Sequence, residues 1–289
     1  MIIIRLKGGL GNQMFQYALY LQLKALGREV KVDEVSGFVD DKQRDPALFD
    51  MFGITYDKAG NEEVIDITDS HMDLFSRIKR KLFGRKNHEY IDESGNFDPK
   101  VLEMETAYLN GYFQSAKYFT DKDVLEQLRR EYSFDQDKVL VSDKSWELYR
   151  QIRQTESVSI HVRRGDYLEP GTVETFGGIC DTDYYKRAID IMLQRFPNAE
   201  FYVFTSDKEW CEQNVSGKRF HMVDTGEENA DAVDMYLMSL CKHHILANSS
   251  FSWWSAWIND DPSKTVIVPG KWLNNKPMND IYTDRMEKI

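Results

Sequence analysis

Ile2-Ile-Ile-Arg-Leu-Lys-Gly-Gly-Leu-Gly-Asn-Gln-Met-Phe-Gln16 runs from β-branched residues, through glycines, into a helical pattern. An uninterrupted apolar run reads as a strand buried on both faces. Downstream, Gln13–Leu26 carries Met14, Ala18, Leu21 and Ala25 on one stripe and Phe15, Leu19, Leu23 and Leu26 on another, which predicts a well-covered helix. The same alternation recurs along the chain. Strands are expected at Ile2–Leu6, Val30–Val32, Val158–Val162, Phe201–Phe204, Ile245–Ala247 and Val266–Val268. Helices are expected at Tyr184–Phe196 and Asp231–His244. Strand and helix in turn predict a doubly wound α/β architecture.

The pattern appears twice, and 289 residues suit two domains of about 100–200 residues each. The polar stretch Arg150–Glu156 suggests units of 1–152 and 153–289. The net charge of −11 argues against a nucleic-acid partner, so any anion site must gather its positive charge locally. Three cysteines without a CxxC pair predict neither a disulfide framework nor a zinc site, and point to a reducing cytoplasm. The first residues lack the pattern of a signal peptide. Arg77–Lys86 is basic, with Ile78, Leu82 and Phe83 interleaved. It reads either as a solvated helix face or as a peripheral contact with the inner face of a membrane.

Four stretches could carry chemistry. Gly9-Leu-Gly11 with Asp33 partly matches a nicotinamide-dinucleotide fingerprint, but Met14 stands where the third glycine belongs. Asn12 and Gln13 are uncharged amides suited to a hydroxyl-rich ligand. Ser159-Ile-His-Val-Arg-Arg-Gly-Asp-Tyr167 delivers His161, Arg163, Arg164 and Asp166 at a strand end. Paired guanidinium groups there suit a diphosphate, and the period of two predicts that the arginines diverge. Asp207 closes another strand as a ligand contact or a helix cap. Ser249 and Ser250 open a further helix whose N–H groups suit a phosphate, with Phe251, Trp253, Trp254 and Trp257 behind them. Asp121-Lys-Asp123, Asp135-Gln-Asp137 and Asp181-Thr-Asp183 read as caps and solvated acids, so no metal ligand is assigned.

Gly8-Gly-Leu-Gly-Asn-Gln-Met-Phe-Gln-Tyr-Ala18, His161-Val-Arg-Arg-Gly-Asp166 and Ser249-Ser-Phe-Ser-Trp-Trp254 together resemble the motifs of bacterial α-1,2-fucosyltransferases, glycosyltransferase family 11. The resemblance implies a GT-B fold, two Rossmann-like domains facing across a cleft. The first would be acceptor-side and the second GDP-fucose-binding, with a last helix packed back on the first. It implies inverting transfer of L-fucose from GDP-β-L-fucose to the 2-hydroxyl of a terminal galactose, with no cofactor and no required metal. Arg163 would be the catalytic contact to the diphosphate. His161, Arg164, Asp166, Asp207, Asn248, Ser249, Ser250 and Phe251 would complete the donor site. Gly11, Asn12 and Gln13 would face the sugar or acceptor. The residues alone leave two other readings, a nicotinamide-dependent oxidoreductase and a non-catalytic sugar- or nucleotide-binding module.

Overall fold

The computed structural model describes residues 1–41, 44–227 and 229–289, with no side-chain description for Ser76, Arg77 and Phe83. The chain divides into two compact units, Met1–Glu131 and Tyr132–Ile289. This division precedes the polar stretch at 150–156. The reason lies in packing: Leu148, Tyr149 and Ile152, on the helix Asp143–Gln154, join Tyr202, Phe204 and Val233 of the second unit in one core.

The first unit holds four strands: β1 (Ile2–Arg5), β2 (Val30–Asp33), β3 (Glu89–Ile91) and β4 (Ala107–Asn110). They pair in the order β2-β1-β4-β3, all parallel. The helix Leu10–Ala25 follows β1 and buries Met14, Phe15, Ala18, Leu19 and Leu23. Gly8 makes the turn with φ +77°, and a Cβ there would lie 2.6 Å from Asn12 Nδ2. Only glycine takes this backbone without strain.

The second unit holds β5 (Glu156–Val162), β6 (Ala199–Thr205), β7 (Phe220–Met222), β8 (His243–Ile245), β9 (Val266–Val268) and β10 (Met286–Lys288). Their order is β10-β9-β8-β5-β6-β7, again all parallel. Along β6, Phe201 and Val203 pack with Tyr184, Tyr185 and Met192 on one face. Tyr202 and Phe204 pack with Val233, Leu237 and Met238 on the other. Both faces are covered, which is why these strands read as continuous apolar runs. Each unit is thus a Rossmann-like parallel α/β layer, the pair that a GT-B chain requires.

Several expectations are corrected. The helix from Asp231 ends at Leu240, not His244, and His243 and His244 begin β8. They still diverge, because successive strand residues face opposite sides. His244 meets Ser159 Oγ at 2.9 Å, while His243 meets Glu156 at 3.0 Å. The final element is β10, a strand beside β9, and not a helix. The three Asp-x-Asp pairs are caps: Asp121 accepts from Val124 N, Asp135 from Asp137 N and Asp181 from Tyr184 N.

Trp253 and Trp254 are fully buried, and Trp253 Nε1 donates to Ile281 O at 2.8 Å. They are core. Trp253→Ala is expected to destabilise the protein by about 3–5 kcal/mol, read as a lowered urea midpoint with unchanged slope.

Candidate active site

In a parallel sheet every carboxyl end lies at one edge, where open α/β sheets bind ligands. In the second unit this edge brings together the residues after β5, β6 and β8. Arg163 and Arg164, just beyond the end of β5, are held by different partners. Arg163 Nη2 donates to Asp166 Oδ2 at 2.9 Å, and its guanidinium lies 5.7 Å from the centre of the Tyr167 ring. Arg164 Nε donates to Asp207 Oδ2 at 3.0 Å, and its guanidinium lies 4.4 Å from the Trp210 ring. Burial works against the charge of Arg163, but Asp166 outweighs it and raises the pKa. Each arginine is held in place by one carboxylate and one aromatic face. A guanidinium has five N–H donors, so a single carboxylate leaves capacity for a ligand.

Asp207 takes the capping role left open for it and pairs with Arg164 besides. It caps the helix Lys208–Asn214 by accepting from Trp210 N at 3.1 Å.

Tyr167 links β5 to β8. Its hydroxyl donates to Asn248 O at 3.1 Å, and its ring stacks on Phe176 at 4.7 Å. Asn248 is buried, and Nδ2 donates to Phe176 O and Trp272 O. Asn248 therefore shapes the loop from inside. Ser249, also buried, begins the helix Ser250–Ile258. That helix has no side-chain cap and no acidic residue in its first turn, a start suited to an anion. Phe251 packs in the core and lies 5.8 Å from the His161 ring.

His161 is 6% exposed, its Nδ1 is buried, and neither ring nitrogen is hydrogen-bonded among the described residues. Burial, and then the charge of Arg163, push its imidazole down to about 3, so it is neutral at physiological pH. A neutral imidazole offers one donor and one acceptor.

In the first unit, Gly9 begins the helix Leu10–Ala25, which also lacks a side-chain cap and a first-turn acid. Gly11 is buried in that first turn. Asn12 Oδ1 accepts from Gln114 Nε2 at 2.6 Å. Gln13 is fully buried and its amide is engaged: Nε2 donates to Gly8 O and Asp45 O, and Oε1 accepts from Ala47 N. In this structure Gln13 tethers the turn to the 45–47 loop, so its amide does not face outward as expected. Asp33, the acid of the dinucleotide reading, is likewise committed to Val35 N, Ser36 N and the Tyr108 hydroxyl. Burial works against its charge, yet these hydrogen bonds hold the carboxyl below its ordinary value.

Three features escaped the sequence reading: Tyr167 as the link to β8, Trp210 beneath Arg164, and the acids Asp231 and Asp234 on the helix Ala230–Leu240. Burial, then Asp231 and Asp224, push Asp234 up to about 7. Asp231 also contributes to the field at Arg163. Their i,i+3 spacing was the available signal.

Residues 79–285 match glycosyl transferase family 11. The chain belongs to that family. This glycosyltransferase is 31% identical to the alpha-1,2-colitosyltransferase of Escherichia coli, over 96% of this chain and 94% of that protein. It is 26% identical to galactoside alpha-(1,2)-fucosyltransferase 1 of Rattus norvegicus, over 87% of this chain and 61% of that protein. Among solved structures, a mutant of Arabidopsis thaliana FUT1 in complex with GDP aligns over 98% of this chain and 72% of its own, with 16% identity and a TM-score of 0.43. Family membership displaces the oxidoreductase reading, and Asp33 is no longer needed for a ribose.

Two outcomes are expected of the glycosyltransferase. Asp234 binds its proton up to about pH 7 when folded, while an unfolded aspartate has released it by about pH 5. The folded state then holds more protons in that window, so stability falls as pH rises through it. Asp234→Asn should remove this slope and raise Tm at pH 8, each retained pKa unit being worth about 1.4 kcal/mol. Gln13→Leu should lower stability by about 1–3 kcal/mol, because the Ala47 N–H loses its acceptor, measured by urea unfolding.

Proposed function

We propose that this glycosyltransferase transfers L-fucose from GDP-β-L-fucose to the 2-hydroxyl of a terminal galactose, forming an α-1,2 linkage with inversion. The observation that carries this reading is the Arg163–Asp166–Tyr167 cluster beside the uncapped helix start at Ser249–Ser250. It is a compact cationic site with a helix dipole, suited to a diphosphate. The family membership and the fucosyl- and colitosyltransferase relatives support the sugar class.

In this reading Arg163 and the helix N-terminus hold the diphosphate, and Arg164 and Asp207 hold the nucleoside end. His161 stays neutral beside them. Galactose O2 attacks the anomeric carbon from the face opposite the diphosphate. The new C–O bond forms as the bond to phosphate oxygen breaks, and GDP departs with the electron pair. The acceptor proton passes to solvent, since a good leaving group needs little help from a base. Charge grows on the diphosphate as the bond breaks, so Arg163 stabilises the transition state more than the ground state. Gly11 and Asn12 of the first unit serve the sugar side. This chemistry requires no metal and no cofactor.

Arg163→Ala is expected to lower kcat/KM by about 10²–10³, equivalent to 2.7–4 kcal/mol, with an intact circular dichroism spectrum. Turnover near that of the unsubstituted enzyme would remove Arg163 from the mechanism. With lactose as acceptor, NMR of the product should show the α-1,2 linkage, and excess EDTA should leave the rate unchanged. Colitose lacks the 3-hydroxyl of fucose, so kcat/KM for GDP-fucose against GDP-colitose decides the donor. Binding without turnover on either donor would support the non-catalytic module instead.

A further inference from the structure

The helix Leu74–Phe83 is arranged against the usual rule. An amphipathic surface helix turns its apolar stripe toward the core. At about 100° per residue, Leu74, Ile78, Leu82 and Phe75 fall within one arc of roughly 100°. All four face solvent: Leu74 is 73% exposed, Phe75 76%, Ile78 48% and Leu82 70%. Met72, just before the helix, is 86% exposed.

The polar side ties the helix to the turn that precedes it. Arg80 lies opposite the apolar arc. Its Nη1 donates to Asp69 O at 2.9 Å and its Nη2 to His71 O at 2.5 Å. Beyond the helix, Arg85 Nη2 donates to Thr68 O and Lys86 N to Asp69 Oδ2, both at 2.9 Å. These bonds, all to residues 68–71, leave the apolar arc facing solvent.

Charge identifies what it meets. Lys79 and Lys81 flank the arc on either side, and Lys86 follows; all three are exposed, and the side chains of all three lack a hydrogen-bond or ion-pair partner among the described residues. Asp73 lies on the Arg80 side of the helix wheel, away from the arc. Two copies packed face to face would set lysine against lysine. A bilayer carrying anionic headgroups accepts the apolar side chains and pairs the ammonium groups. A chain of net charge −11 is otherwise repelled by such a surface, so this patch is the local exception.

We propose that the outward face of the helix Leu74–Phe83 docks this enzyme on an anionic lipid surface, with Leu74, Phe75, Ile78 and Leu82 inserted and Lys79, Lys81 and Lys86 at the headgroups. The test is flotation of the full chain with vesicles of phosphatidylethanolamine containing phosphatidylglycerol, against phosphatidylcholine alone. The protein should float with the anionic vesicles, and partition should fall about tenfold or more in high salt or without anionic lipid. F75E/L82E should abolish flotation with an unchanged thermal melt. Phe49→Glu, an exposed apolar residue outside the patch, should float like the parent chain. No flotation, or equal flotation of F75E/L82E, overturns the proposal. A dimer in sedimentation velocity that the same double substitution dissociates would assign the face to a second copy and overturn it as well. None of these readouts depends on the donor or acceptor.

Discussion

Asn248 sits in the wall of the site with its side chain buried, and the loops around it are built on its hydrogen bonds. Nδ2 reaches two backbone carbonyls, Phe176 and Trp272, while Oδ1 accepts from Cys180 Sγ at 3.5 Å. Its own carbonyl accepts from Tyr167. One amide thus joins the end of β8 to the loop after β5 and to the segment before β10. A buried amide in this position strongly favours one arrangement, because any other leaves polar groups unpaired. The position of Tyr167, and through it of Arg163, follows from that arrangement.

The same economy governs charge. The chain is acidic, and its two adjacent arginines are each held by a neighbouring carboxylate and laid over an aromatic ring. Such pairing lowers the cost of part-burying a guanidinium and fixes its fork before any ligand arrives. Preorganised donors cost no reorganisation when charge develops, which is where electrostatic catalysis gains. In the first unit the polar residues do a different job. Gln13, Gln16 and Gln22 each reach backbone of distant loops, at Asp45 and Ala47, at Gly111, and at Thr120 and Asp121. The helix Leu10–Ala25 anchors three loops with side chains that composition alone would label as surface residues.

The strands β1, β5, β6 and β9 were readable because their largely apolar runs are continuous and buried. The strands β3, β4, β7 and β10 were not. Glu89-Tyr-Ile91, Phe220-His-Met222 and Met286-Glu-Lys288 are three-residue edge strands with mixed polarity, and nothing local separates them from loop. Ala107-Tyr-Leu-Asn110 lies inside its sheet yet carries no β-branched residue. His243 and His244 continued the helical pattern of their neighbours, but both rings have partners outside the helix Ala230–Leu240, at Glu156, Ser159 and Asn259. Tertiary pairing there overrides the local period.

The sequence by itself determined two α/β units, glycine turns feeding helices, and clustered arginines at a strand end. Each follows from short-range rules: the apolar period, glycine's conformational freedom and the charge pattern. Only the tertiary structure decided which polar residue works outward and which inward. Gln13 and Asn248 look like ligand contacts in one dimension, and in three they are spent on backbone groups far away in the chain. Leu74, Phe75, Ile78 and Leu82 share one helix face, and the structure leaves that face in solvent. An amide or a leucine does not encode its partner locally, because partners are supplied by segments that only folding brings within reach.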